Sequence, residues 1–488
     1  MSISITSISL TCFRSGASMA ACRAWSRLAL CSLTIMSMSV SAYAEDAADA
    51  VLFQAMFRQL VELDTTASTG DTLAASEAMA ARLRAGGISA ADVRVLSSAP
   101  RKGNLVARLR GTGAKKPLLL LAHIDVVEAK REDWAFDPFK LQEVDGYYRG
   151  RGTVDDKAMA AIFVANLIRY QQERLRPERD IIVALTTDEE LADSTHNGIR
   201  WLLETNRPLI DAELAINEGG GGVLRNGRRI SVNVQHAEKV YRSFRLDVTN
   251  PGGHSAAPRA DNAIYRLSEG LVRLSRFEFP ARLSPLTSTH FAIGAKQESP
   301  EVLAAIKALA AGDARPESIA ALSARPSFNA QIRTTCVATM LAAGHAENAL
   351  PQTARATVNC RLLPDEQPAF VEASLKAALA DDAIVVTPLG DVVESPASPR
   401  SPLVMAAVEK TAAELWPGVP VIPTQSGGYT DSRWLRRAGI ATYGVTGLFT
   451  EEGRNGVHGL NEQVGVADLT AAREFQYRLV KRLSGAMK

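Results

Sequence analysis

Leu118-Leu119-Leu120-Leu121-Ala122-His123-Ile124-Asp125 is an unbroken apolar run that ends in a polar tip. A strand covered on both faces reads as continuous hydrophobic residues, whereas a strand with one wet face alternates. Ile181 to Thr186 repeats the pattern and runs into Thr187-Asp188-Glu189-Glu190. Helical stretches stand near both, at Met159 to Tyr170 and Ala192 to Glu204. Buried strands alternating with helices imply an α/β fold with a mixed, mostly parallel sheet. Open sheets of this kind carry their sites beyond the carboxyl ends of the strands, which is where His123, Asp125, Glu189 and Glu190 fall.

The pattern changes at Lys239. A strand (Tyr241 to Val248), a helix (Asn262 to Arg276), two strands (Arg333 to Met340 and Ala354 to Leu362), a helix (Gln367 to Leu379) and a strand (Ala383 to Leu389) follow in turn. The order β-α-β-β-α-β is that of a ferredoxin-like unit. An Ala-rich excursion from Ser299 to Ser327 interrupts it and reads as surface helix. After Ser398, a helix from Leu403 to Leu415 and a strand near Ala441 to Val445 restore the first pattern, so the second unit is expected to be inserted into the first. The expected division is 1–44, a signal peptide; 45–238, the first part of a catalytic domain; 239–395, an inserted lid or dimerisation domain; and 396–488, the second part of the catalytic domain.

Residues 1–44 have the layout of a secretory signal. Arg23 and Arg27 precede an apolar run from Leu28 to Val40 that leads into Ala42-Tyr43-Ala44, a small-x-small cleavage site. Met19 is an alternative start. Cleavage after Ala44 predicts a periplasmic or secreted protein, with no membrane association afterwards. Three of the 55 basic residues and none of the 53 acidic ones leave with this segment, giving 52 against 53. A nearly neutral chain lacks the basic face expected of a nucleic-acid partner. Of five cysteines only Cys336 and Cys360 remain. They lie in two strand-like runs about Asn348, where they either pair in an oxidising compartment or stay as two buried thiols.

Five short segments each supply one or two metal-binding side chains: Ala122 to Asp125, Val154 to Lys157, Thr187 to Glu190, Asn217 to Gly220 and Val457 to Gly459. One His and two carboxylates make an ordinary zinc shell with a position left open for water. Here there are enough ligands for two metals sharing a carboxylate, which is the pattern of a two-zinc hydrolase. Asp125 is placed to bond the other imidazole nitrogen of His123. Adjacent carboxylates such as Glu189 and Glu190 repel each other unless cations hold them, and one of the pair is then available as a base. Singly, each segment also fits a surface His or a solvated helix start. The combination does not.

Ala122-His123-Ile124-Asp125-Val126-Val127, Asp145 to Lys157 and Thr187-Asp188-Glu189-Glu190 together resemble the co-catalytic zinc exopeptidase and deacylase family. That family includes succinyl-diaminopimelate desuccinylase, acetylornithine deacetylase, aminoacylases, glutamate carboxypeptidase and carboxypeptidase S, and the wording of the first motifs is nearest the carboxypeptidase S-like branch. The resemblance covers essentially the whole chain after the signal. It implies the zinc-exopeptidase-like mixed sheet with the inserted dimerisation domain, and two Zn2+ per subunit. It makes His123 and Glu218 ligands of one zinc, Glu190 and His458 ligands of the other, Asp155 the bridge and Glu189 the general base. It also implies a cis peptide between Asp155 and Asp156.

In Pro251-Gly252-Gly253-His254-Ser255-Ala256-Ala257-Pro258 the matching His serves the partner subunit's site, so His254 implies a homodimer and an oxyanion role. Gly253 to Ala257 approaches a Gly-x-Ser-x-Gly elbow but lacks the final Gly and the flanking strand and helix. Asn348, Arg361, Gly428 and Thr430 match positions near the substrate, although Tyr429 interrupts a Gly-Gly-Thr-Asp pattern. The expected activity is metal-dependent exopeptidase hydrolysis of small peptides, of carboxypeptidase or dipeptidase type. An N-acyl-amino-acid amidohydrolase is the alternative, and an inactive binding protein on the same fold a minor one.

Overall fold

The computed structural model describes residues 49–191, 194–294, 298–390, 393–451 and 454–487. The signal segment and the expected helix start at Ala192 lie outside them. The chain divides into two compact units at Met56 and Phe57, and the described part of the first, residues 49–56, is helical.

The second unit is built on a ten-stranded mixed sheet. Its strands run in the order Val93–Ala99, Lys102–Leu109, Ile181–Thr186, Leu118–His123, Leu214–Asn217, Ala441–Gly444, Arg228–Glu238, Gly222–Arg225 and Phe449–Glu451, with Val421–Ser426 paired to Arg228–Glu238. The four central strands are parallel, with His123 opposite Thr186 and Gly444 opposite Asn217. Every residue of Leu118–His123 and Ile181–Thr186 is buried, as their unbroken apolar reading requires. A helix, Lys157–Gln172, is buried along nearly its whole length, which an apolar sequence without a polar stripe dictates. On the opposite face Ile199, Leu202 and Leu435 pack against Leu119, Leu121 and Ile182. The helix expected from Ala192 forms only at Gly198–Thr205, where Asn197 caps it by accepting from Arg200 N–H. Asp188, in the left-handed region at φ 59°, turns the chain before it.

The inserted domain is a four-stranded antiparallel sheet in the order Thr335–Ala343, Thr353–Leu362, Val240–Thr249, Val385–Leu389. Numbered along the insertion this is 2-3-1-4, the ferredoxin-like arrangement. Helices Ala263–Ser275 and Pro368–Leu379 cover one face, burying Leu267, Leu274, Val371 and Leu375 against Phe244, Leu246 and Val358. Cys336 and Cys360 face each other across adjacent strands and form a disulfide. The Ala-rich excursion is more than surface helix. Four helices between Pro285 and Ile332 enclose a small core of Phe291, Ile306, Leu309, Leu322 and Ile332. The first of them, Pro285–Gly294, lies against the catalytic strand Val421–Ser426.

Candidate metal centre and active site

The carboxyl ends of the central strands converge on one edge, and side chains from four loops meet there. His123 ends its strand with its ring buried. Its Nε2 lies 2.9 Å from Asp155 Oδ1 and 3.7 Å from Glu218 Oε1. His458, at φ 57°, brings its Nε2 to 3.2 Å from Asp155 Oδ2 and 3.0 Å from Glu190 Oε2. Asp155 thus stands between the two imidazoles, one oxygen toward each. Ligand atoms of His123, Glu189 and Glu218, and of His123, Asp155 and Glu190, lie within 4.8 Å of one another. The peptide between Asp155 and Asp156 is cis.

Asp125 acts otherwise than by a carboxylate bond to the imidazole. Its backbone carbonyl lies 3.0 Å from His123 Nδ1, while its nearer carboxylate oxygen is 3.7 Å away. The carboxylate instead accepts from the backbone N–H groups of Glu189, at 3.2 Å, and Glu190, at 3.0 Å. One residue therefore orients a ring on one strand and a turn on the next. Asp188 is drawn away from the cluster by Lys102 Nζ, at 2.7 Å, and by Ser194 Oγ.

The group carries more negative charge than the protein answers. Glu189 is buried, and its Oε1 has no hydrogen-bond partner. Burial, together with Asp431, Glu190 and Asp125, pushes its carboxyl well up. Burial likewise pushes up Glu218, beside Asp155 and Glu189. Asp431, held by Asn197 Nδ2 and Thr186 Oγ1, is raised by burial to about 6. Crowded buried carboxylates with two imidazoles are the donor set that divalent cations satisfy, because positive charge removes both the repulsion and the cost of burial. The residues present fit a two-metal centre.

Glu462 fixes the loop that delivers Asp155. Fully buried, it accepts from Gly152 N–H at 2.9 Å, Val154 N–H at 2.7 Å and Asp155 N–H at 3.1 Å, and pairs with Arg151 Nη1 at 2.8 Å. No motif marks a role for Glu462, whose partners lie 307 to 311 residues away.

The remaining candidates are more dispersed. His254 is exposed on the two-residue strand Gly253–His254, paired with Ala349–Leu350, and no hydrogen bond or ion pair among the described residues joins it to the cluster. Asn348 is exposed beside it, its carbonyl accepting from Ser255 N–H. Arg361 lies 4.9 Å from the Tyr241 ring and 5.6 Å from the Tyr429 ring, with Nη1 buried and unpartnered. Tyr429 also carries Arg433 over its ring at 4.0 Å. Gly428 is exposed, donating to Ser426 Oγ. Thr430 faces inward instead: its hydroxyl donates to Glu238 Oε1 at 2.5 Å and accepts from Asn217 Nδ2. That leaves it no free group for a substrate. A recess of about 380 Å³ beside Glu190 and His458 is lined by Ala67, Val126, Val127 and Leu191. A second, of about 260 Å³, lies by Asp155 and Glu218 against Gly219, Gly220 and Gly221.

Residues 119–482 match the model of peptidase family M20/M25/M40. An N-fatty-acyl-amino acid synthase/hydrolase, PM20D1, of Xenopus tropicalis is 29% identical over 377 residues, 75% of this chain and 72% of the relative. A probable carboxypeptidase S-like protein of Dictyostelium discoideum is 27% identical over 379 residues, 75% of this chain and 71% of that protein. The fold is similar to that of an M20 family metallo-carboxypeptidase from Sulfolobus solfataricus, with a TM-score of 0.66 and 17% identity, over 88% of this chain and 99% of the other.

Proposed function

The chain belongs to peptidase family M20/M25/M40, and from that membership we propose that it is an exopeptidase for small peptides. In this reading His123 and Glu218 hold one zinc ion, Glu190 and His458 a second, and Asp155 lies between them. The observation that carries it is the buried, unpartnered Glu189 Oε1 beside that ligand set. Metal ions held by these residues would supply the activation of water at neutral pH and the polarisation of an amide carbonyl. Glu189 takes the proton from the attacking water and passes it to the leaving nitrogen. Asp125 keeps base and ligand in register through the amides of Glu189 and Glu190. The recess beside Glu190, where Val126, Val127 and Leu191 stand with Glu128 and Asp188, accepts a substrate side chain, and Arg361, between two tyrosine rings, meets a substrate carboxylate.

The working form is a homodimer in which His254 of one copy serves the other's site. Its exposure, and the lack among the described residues of any bond joining it to the cluster in its own chain, support this. So does the strand Thr335–Ala343, an unpaired edge bearing Val337, Met340 and Leu341, each at least 60% exposed. The protein works outside the cytoplasm, a reading supported by the signal-like layout of residues 1–44 and by the Cys336–Cys360 disulfide.

A second reading, N-acyl-amino-acid amidohydrolase, is favoured by the name of the Xenopus tropicalis relative. Both chemistries break a C–N amide bond, so products decide between them. Zinc-loaded protein is offered dipeptides, tripeptides and N-acyl amino acids, and products are followed by mass spectrometry. Free amino acids from the peptides support the exopeptidase. Release from the acylated amino acids alone replaces it with the amidohydrolase, and no turnover of either contradicts both.

A further inference from the structure

The recess of about 380 Å³ beside Glu190 and His458 has walls of two kinds. Ala67, Val126, Val127 and Leu191 offer it apolar side chains, and four acids stand among them. Three of these acids are already answered. Asp125 accepts from the backbone N–H groups of Glu189 and Glu190. Asp188, buried, is held by Lys102 Nζ and by Ser194 Oγ, each at 2.7 Å. Glu190 faces His458 at 3.0 Å within the ligand set.

Glu128 is the fourth. Its side chain is exposed, and no ion pair among the described residues joins it. Ser68, sixty residues away in sequence, holds it: the backbone N–H donates to Oε1 at 3.0 Å and the hydroxyl to Oε2 at 2.9 Å. One donor on each oxygen orients the carboxylate. An ionised carboxylate has about four lone-pair sites, so about half of its accepting capacity stays open. A carboxylate oriented in advance loses less freedom when it takes a cation than a loose side chain does.

The order of the groups sets the shape of what fits. Glu190 and His458 form the metal end of the recess, and Glu128, exposed, its outer rim. A side chain that starts at the metal end, runs along Val126, Val127 and Leu191 and finishes at Glu128 has an apolar stem and a cationic head. Lysine and arginine have that form, laying their methylenes on apolar surface while the charge stays in water. The α-ammonium of a dipeptide does not fit, because it stands two bonds from the amide carbonyl carbon with no stem to cross the apolar wall. We propose that the recess selects a substrate residue with a long basic side chain, lysine or arginine, and that Glu128 determines the choice. The inference rests on the exopeptidase reading, in which this recess takes a substrate side chain, and adds the chemical class of that side chain.

Norleucine carries the stem of lysine without its charge, so a pair of peptides isolates the cation. Zinc-loaded wild type, Glu128→Gln and Glu128→Lys are each given lysyl-alanine with norleucyl-alanine, and alanyl-lysine with alanyl-norleucine, and the ratio of kcat/KM within each pair is read by mass spectrometry. Wild type is expected to favour lysine by roughly three- to fivefold in one of the two orders, the worth of an ion pair at an exposed carboxylate. The ratio should fall to about one in Glu128→Gln and below one in Glu128→Lys. A wild-type ratio of one in both orders overturns the proposal, as does a lysine preference that neither substitution moves. If no peptide is turned over, the exopeptidase reading fails by itself. The lysine-to-norleucine ratio of Kd, measured by calorimetry on zinc-loaded Glu189→Gln protein with and without Glu128→Gln, then decides the recess: a preference lost with Glu128 supports the assignment, and equal affinities overturn it.

Discussion

His236 shows at a single residue how burial sets chemistry. Its ring packs edge-on against Tyr443 at 5.2 Å, and burial lowers its pKa to about 4 from 6.5. The unfolded chain therefore binds a proton here at a higher pH than the folded one. The contribution to stability is fully present above about 6.5 and is lost as pH falls through about 4. It is worth about 3 kcal/mol at neutral pH. Urea unfolding at stepped pH is predicted to show stability falling across this window, and His236→Phe, which keeps the ring and removes the titration, to flatten that fall. The identities of such residues are plain in a sequence, but their environments are not. The structure gathers His123, Asp155, Glu190, Glu218 and His458, the residues that the family resemblance named as ligands, into one cluster. Asp125 departs from its expected bond because the path of the backbone, which no motif encodes, aims its carbonyl rather than its carboxylate at His123.

At the scale of elements, the loop from Gly150 to Asp155 owes its shape to Glu462, which gathers three backbone N–H groups and Arg151 in a buried pocket. Removing one partner of a buried pair leaves an uncompensated charge, at a cost of about 3–5 kcal/mol. Glu462→Ala is expected to lose that much in urea unfolding. Competition against a chelator should show metal affinity falling by roughly 10–100-fold, the usual effect of losing a group that orients a ligand. Gly220 sets a second constraint. At φ 72°, a Cβ there would lie 2.2 Å from Gly444 O, so only glycine lets the loop after Glu218 pass the neighbouring strand. The strands Leu118–His123 and Ile181–Thr186 were legible because burial on both faces leaves a continuous apolar signature. The start of the helix at Gly198 was not, since the cap at Asn197 carries no periodicity.

For the whole molecule, the inserted sheet was readable from the order of its elements, whereas the helical group between Pro285 and Ile332 was underestimated. Its Ala-rich composition conceals a core assembled from residues far apart in the stretch, such as Phe291 and Ile332. Assembly is the property at this scale that an experiment reaches most simply. If the edge strand Thr335–Ala343 joins two copies, Met340→Arg with Leu341→Glu should turn a dimer into a monomer in sedimentation velocity. Activity should fall in parallel, because His254 then has no second site to serve. A monomeric wild-type chain with full turnover would remove the dimer from the account.

The central claim is that Glu189 moves the proton at a two-metal centre without holding the metals. Glu189→Gln and wild-type protein, each measured for zinc per chain and for turnover of the peptide that wild type cleaves fastest, test it most directly. The account predicts two zinc ions per chain in both proteins and a kcat lower by roughly 10²–10⁴-fold in Glu189→Gln, the usual worth of a general base. Wild-type turnover in the variant, or loss of its zinc in step with its activity, would contradict it.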